Sequence, residues 1–297
     1  MNSCLKLEKL NINNMTEEQT EIVCTFVRKI NSSAASLFKK AVNEKLLKCC
    51  FLFTKESNVG VMTIIEDKDY ISVQISFEKD VCNFEAIKYI HQAIKSAINS
   101  KESKELYLNV NGYNTVIINY FRNYGFVQSD YGYGFEFSLK SSEQKIADLM
   151  NFKMEESLEF RKFEDRYGRN YLDLLEDAFR EQSEMCNEKT TIGDEHIPWL
   201  KEFDIRGEFG ALWKSDNLIG LYTLNGNYID HIAVLSKYKG KGYGNIILNY
   251  CLKYMFINKN YDECNLCTYK INYKAQKLYL KNGFRVTSFY CENEYKE

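Results

Sequence analysis

Asp230-His231-Ile232-Ala233-Val234-Leu235-Ser236-Lys237-Tyr238-Lys239-Gly240-Lys241-Gly242-Tyr243-Gly244-Asn245-Ile246-Ile247-Leu248 reads, in order, as an apolar strand, a basic glycine-rich turn and the start of a helix. Glycines let backbone N–H groups come close to an anion such as phosphate, and the helix N-terminus behind them adds partial positive charge. Lys237, Lys239 and Lys241 add full charges. The spacing Gly-x-Gly-x-Gly also suits an ordinary tight turn, and the dinucleotide fingerprint needs a different one. The meaning of the turn therefore rests on what surrounds it.

Comparing the chain with itself reveals a long-period repeat. Asn58-Val59-Gly60-Val61-Met62-Thr63-Ile64 resembles Asn217-Leu218-Ile219-Gly220-Leu221-Tyr222-Thr223-Leu224, each an apolar strand with a central glycine. Further on, the stretch from Asn114 to Gly125-Phe126 resembles that from Asn272 to Gly283-Phe284, and in each the Gly follows the Asn by 11 positions. The paired glycines lie 65 residues apart in the first half (125 − 60) and 63 in the second (283 − 220). Two α/β copies of one domain are expected, at 1–145 and 155–297, joined by a polar connection near 141–156. Periodicity predicts helices over 16–47, 84–99, 114–123, 170–186, 243–257 and 272–281. Strands are expected at 49–54, 59–65, 70–77, 105–110 and 133–139, then at 210–214, 218–224, 228–235 and 263–268.

Composition narrows the function classes. The 297 residues suit two average domains, and 45% apolar with 27% charged residues exclude a disordered or collagen-like chain. Net charge is −2, which argues against a dedicated nucleic-acid binder, so small molecules or proteins are the expected partners. The first residues lack a basic start and apolar core, so export is not expected. The longest uncharged stretch, 106–121, carries Asn109, Asn111, Gly112, Asn114 and Asn119, too polar for a membrane span. Ten scattered cysteines fit reduced thiols and a cytoplasmic location. Cys264 and Cys267 have the spacing of half a zinc site, but no second pair follows and His91, His196 and His231 are far apart. No metal is expected.

The order Ala-Val, basic glycine turn, helix, strand, then Asn272-x-x-Ala275-x-x-x-Tyr279-x-x-x-Gly283-Phe284 resembles the GCN5-related N-acetyltransferase (GNAT) family over roughly 157–297. That resemblance implies an α/β (α+β) fold with a mixed, mostly antiparallel sheet flanked by helices, whose fourth strand splays from the fifth to make a cleft for acetyl-CoA. It implies N-acetyl transfer to an amine by direct attack in a ternary complex. Lys239, Gly240, Lys241, Gly242, Tyr243, Gly244 and the N–H of Asn245 would hold the pyrophosphate. Lys239 stands where the family usually opens the turn with Arg or Gln, which keeps charge but not bidentate geometry. Ile232, Ala233 and Val234 would lie beside the pantetheine arm and turn backbone N–H groups toward the thioester oxygen. Asn272 would touch the same arm. Tyr279 falls where many members keep a general acid for the departing thiolate. An attacking amine of lysine type, with a pKa near 10.4, must lose a proton, and Asp230 or His231 are the candidate bases; water could serve instead. Adjacent in a strand, those two should face opposite sides.

The first copy reads differently. Phe77-Glu78-Lys79-Asp80-Val81-Cys82-Asn83-Phe84-Glu85-Ala86 stands where the glycine turn should be and has no glycine, and its acidic residues would repel a pyrophosphate. Phe121 matches Tyr279 in the repeat, so the acid hydroxyl is missing too. This copy is expected to be degenerate and to support the second. Residues 151–216 hold 10 Lys/Arg and 17 Asp/Glu, net −7, against 11 and 6, net +5, over 217–297. The acidic part, including Glu176, Asp177, Glu181, Glu184, Glu188, Asp194, Glu195, Glu202 and Asp204, would frame a cationic small-molecule or peptide amine, if it is not simply a solvated helix face. Monomer and homodimer both fit. Two other readings remain open: a non-catalytic acyl-CoA-binding regulator, and a tRNA-dependent aminoacyl transferase of related fold.

Overall fold

Thr16 opens the first helix with a reciprocal cap, its side chain accepting from the Gln19 N–H at 3.1 Å while the Gln19 side chain accepts from the Thr16 N–H at 3.1 Å. The helical region expected over 16–47 is two helices, α1 (Glu17–Val27) and α2 (Ser32–Asn43). Asn31 divides them, because its extended backbone ends the helical run and its carboxamide caps α2 through the Ala34 N–H at 2.7 Å. The structure, a computed structural model, describes residues 5–78, 84–186 and 191–296.

The chain forms two compact units. Residues 1–136 with 286–297 make the first and 137–285 the second, so the last strand belongs to the first unit. The sequence reading divides the chain once, between 145 and 155; the structure divides it at 136/137 and again at 285/286. A strand's choice of partner leaves no local trace in its sequence.

In the first unit, β1 (Lys6–Lys9), β2 (Leu47–Thr54), β3 (Asn58–Glu66) and β4 (Tyr70–Phe77) pair antiparallel in that order. β4 then pairs parallel with β5 (Glu105–Asn111) after the crossover helix α3 (Phe84–Ser100). The far side of β5 is taken by the chain's last strand, Arg285–Tyr295, paired antiparallel. Helix α4 (Thr115–Arg122) leads into β6 (Phe126–Lys140), which begins in the first unit and ends in the second. Both faces of the sheet are covered. On β3, Val61 and Ile65 pack with α1 and α2, while Met62 and Ile64 pack with α3 and α4, the alternation a pleated strand imposes.

The second unit repeats this order. α5 (Glu143–Asn151) precedes β7 (Leu158–Arg161), which is followed by α6 (Gly168–Cys186) and α7 (Ile197–Ile205). β7, β8 (Phe209–Lys214), β9 (Asn217–Asn225) and β10 (Tyr228–Val234) pair antiparallel, and β10 pairs parallel with β11 (Glu263–Tyr269). The crossover helix α8 (Tyr243–Lys253) ends in a π-helical turn at Tyr254–Asn258, and α9 (Tyr273–Lys281) follows β11. Beside β11 runs the end of β6, where the Ser141 N–H donates to the Asp262 carbonyl at 2.8 Å. Numbered to match, the chain's last strand is β12. Each unit is thus a mixed, mostly antiparallel sheet flanked by helices. Among the described residues, no helix is long and apolar enough to cross a membrane.

Candidate active site

β10 and β11 share register only at Tyr228–Asn265 and Ile229–Leu266, whereas β10 stays paired with β9 as far as Val234. The two parallel strands therefore part after one step. The Leu235 N–H donates to the Ile219 carbonyl of β9 at 3.0 Å. Because backbone groups alternate along a strand, the N–H groups of Ala233 and His231 face β9, and those of Ile232 and Val234 face the gap. The side chains of Ile232 and Val234 line the same opening, a cleft of about 520 Å³. Ala233 does not: its methyl packs into the apolar core beneath α6 and α7.

At the end of β10 the chain makes a short turn over Ser236–Tyr238 before the glycines. Asp177 of α6 anchors that turn, accepting from the Ser236 N–H at 2.5 Å through its carboxylate and from the Ser236 hydroxyl at 3.1 Å through its backbone carbonyl. Gly240 and Gly242 have φ of 80° and 88°, a backbone that a side chain resists even though a Cβ at either would meet nothing within 4 Å. Gly242 opens α8 without a side-chain cap. Among the described residues, the N–H groups of Lys241, Gly242, Tyr243 and Gly244 have no acceptor in the chain. Such a run of unpaired donors at a helix N-terminus fits a phosphate group. The Asn245 N–H is not one of them, since it donates to the Gly242 carbonyl at 3.0 Å, and the Asn245 side chain accepts from Asn282 at 2.9 Å.

Lys239, Gly240, Gly242, Tyr243 and Gly244 line the cleft. Burial lowers the pKa of the Lys239 amine, which donates to the Ala178 carbonyl of α6 at 2.7 Å. Lys241 is not among the lining residues; its amine lies 5.3 Å from the centre of the Tyr238 ring. The opposite wall is the start of α9. Asn272 caps that helix through the Ala275 N–H at 3.1 Å and donates to Gln182 of α6 at 3.1 Å, and Lys274 pairs with Glu181 at 3.2 Å. Tyr279 closes the inner end, its ring buried against Phe137 and Phe284. Burial pushes its phenol well above the ordinary value, so the hydroxyl stays protonated at neutral pH. The motif reading missed the α6 wall, Ala178, Phe179 and Gln182, because a helix face carries only its amphipathic period.

His231 and Asp230 stand apart from this wall. A register shift between Ile229 and His231 puts Asp230 in a β-bulge, so the strict alternation assumed for the two residues does not apply. His231 Nδ1 lies 2.8 Å from the Thr223 hydroxyl, with Phe179 and Trp199 edge-on to its ring at 6.0 and 5.6 Å. Burial drops its pKa to about 4, leaving a neutral imidazole. Burial, and then the Glu208 carboxylate, push Asp230 up to about 6. Phe179 touches both His231 and the cleft, linking the two places.

Several acidic residues expected around an acceptor have partners inside the unit. Glu176 and Asp194 hold Arg169 at 2.5 and 3.1 Å, and Asp204 accepts from the Phe163 N–H at 2.9 Å. Glu188 lies outside the described residues. Cys264 is buried and Cys267 exposed on β11, and among the described residues no three His, Cys, Asp or Glu side chains gather as a metal site.

The corresponding place in the first unit is shut. β4 and β5 keep register through six positions, Tyr70–Glu105 to Ile75–Val110. At the end of β4 the Asn114 carboxamide accepts from the Phe77 N–H at 2.9 Å and donates to the Phe77 carbonyl at 3.3 Å. Counting from Gly60 and Gly220, each paired across the hairpin to Phe77 and Val234, Thr63–Gln74 matches Thr223–His231. Gln74 accepts from Thr63 at 3.1 Å and donates to the Ala34 carbonyl of α2 at 3.1 Å, so a helix is tied down where the second unit keeps an imidazole. Phe121 is buried in the core. Residues 79–83, which replace the glycine turn, lie outside the described residues.

Residues 166–284 match the family model described as the acetyltransferase (GNAT) family. The matched stretch lies within the second unit. The chain is similar to the SPbeta prophage-derived uncharacterized N-acetyltransferase YokL of Bacillus subtilis, 27% identical over 94 residues covering 29% of this chain, and spans about half (53%) of that protein's length. Among solved structures, a GCN5-related N-acetyltransferase from Sphaerobacter thermophilus aligns with TM-score 0.59 at 10% identity over 98% of this chain and 95% of its own. A Drosophila protein aligns with TM-score 0.54 at 12% identity over 98% of both. These likenesses concern the fold.

Proposed function

We propose that the second unit transfers an acetyl group from acetyl-CoA to the primary amine of a small molecule or peptide, with both substrates bound together and the amine attacking the thioester directly. The observation that most supports this reading is the parting of β10 from β11 beside a turn whose N–H groups have no partner in the chain. Acetyl-CoA, when bound, supplies the activated thioester. The N–H groups of Lys241–Gly244 and the ammonium of Lys239 would hold its pyrophosphate, Lys239 letting go of Ala178 to do so. The N–H groups of Ile232 and Val234 face the gap in which the thioester would lie, and would stabilise the oxyanion that forms on attack. Tyr279, protonated at neutral pH, is suited to give its proton to the leaving thiolate. The amine arrives as a cation, and neutral His231 or ionised Asp230 would receive its proton, directly or through water.

Calorimetric titration of acetyl-CoA into the wild-type chain and into Gly242→Glu tests the reading. One site per chain, absent from the variant, is expected, followed by turnover in a screen of cationic, neutral and anionic amines. No binding to the wild type overturns the proposal. Binding without turnover on any amine, unchanged by Tyr279→Phe, would favour the regulator, and binding of tRNA without CoA would favour the aminoacyl transferase.

A further inference from the structure

A second cavity, of about 320 Å³, opens in the first unit between the C-terminal half of α3 and strands β1 to β4. It lies at the opposite end of β4 from Phe77, so it is not a remnant of the closed cleft. Strand register builds it: Lys9 stands opposite Phe51, Cys49 opposite Ile64, and Glu66 opposite Ile71. Helix α3 covers the rest of this sheet face with Ile87, Ile90 and Ile94, but over the cavity it presents Ala93 and Ala97. The floor of Phe51, Ile64 and Ile71 is thus apolar and open above.

The rim is positive. Glu66 is paired with both Lys48, at 3.1 Å, and Lys104, so one carboxylate answers two ammonium groups. Lys9 adds a third, 6.0 Å from the centre of the Phe51 ring and with no carboxylate partner among the described residues. Lys9 and Lys48 on the rim, with Glu66 further neutralised by Lys104, complement a ligand with an anionic head and an apolar body. We propose that this cavity is a second small-molecule site, taking an organic carboxylate whose apolar part lies on Phe51 and Ile64 and whose carboxylate meets Lys9. The assignment is independent of acetyl transfer.

The test uses the full chain carrying Gly242→Glu, so that the cofactor turn is blocked, with octanoate as the probe and octylamine as its charge-reversed counterpart. Octanoate should bind at one site and octylamine should not. Lys9→Glu, an exposed position, should weaken octanoate about tenfold or more by reversing the charge at the rim. Ala93→Leu should remove binding by filling the space under α3. Octanoate should also slow alkylation of Cys49, on the cavity wall, without slowing that of the exposed Cys267. No binding of octanoate, equal binding of octylamine, binding untouched by both substitutions, or unchanged Cys49 alkylation would each overturn the site.

Discussion

The carboxamide of Asn114 bonds both backbone groups of Phe77, whereas its repeat counterpart Asn272 caps its own helix and reaches Gln182. The same residue thus closes one cleft and borders another. In the first unit α4 gives up its side-chain cap, and the N–H and C=O at the end of β4 gain a neighbour that imitates a further strand. Those are the groups that Val234 leaves facing the gap.

Asn114→Leu should therefore destabilise the first unit by about 2 kcal/mol, since it strands two buried backbone groups at once. It should leave acetyl-CoA binding unchanged. Urea unfolding beside a titration measures both; a loss of cofactor affinity would contradict the division of labour between the units.

Gly240→Ala and Gly242→Ala should each cost about 1 kcal/mol of stability from backbone strain alone, because the added methyl meets nothing. Cofactor affinity should fall much further, by about tenfold or more, as the turn shifts its N–H groups. Comparing melting temperature with dissociation constant separates the two effects.

Tyr279→Phe removes only a hydroxyl from a buried ring, so folding and cofactor binding should be retained. Turnover should drop about 100-fold, the usual contribution of a positioned acid. Amines attacking a donor with a better leaving group should show a smaller loss, and an equal loss with both donors would argue against proton donation.

His231 gives a stability that depends on pH. Its pKa falls from 6.5 in the open chain to about 4 in the fold. The folded state is then favoured fully above about pH 6.5, and the advantage is lost as pH falls toward 4, when the unfolded chain takes up a proton that the native state refuses. The total is about 3 kcal/mol at 1.36 kcal/mol per pKa unit. His231→Gln copies the Thr63–Gln74 pair of the first unit, so it should fold and flatten this dependence in urea titrations at pH 7 and 4.5. If the imidazole is the base, the same variant also loses turnover.

The glycine turn, the repeat and the Asn-to-Gly-Phe segments were legible in the sequence because each depends on local backbone geometry. The break at Asn31 was not, since its helical surroundings keep one apolar period across the cap. Matching His231 with Gln74 was hidden by hairpin length: Gln74 follows Thr63 by 11 residues but His231 follows Thr223 by only 8, which spoils a fixed offset. The closure by Asn114 was also invisible: both copies have Asn there, and only the course of the neighbouring strands decides what it bonds.

The return of β12 to the first unit bears on how the chain is made. A ribosome finishes every other strand of that unit, then all of the second, before the strand that flanks β5 emerges. Until then the open side of β5 offers unpaired backbone to any passing strand, a hazard for a nascent chain. Closing the gap joins segments far apart in sequence, which slows folding. For the same reason the two copies cannot be separated by one cut, because a fragment ending near 145 lacks β12 and its complement carries that strand with nothing to pair against.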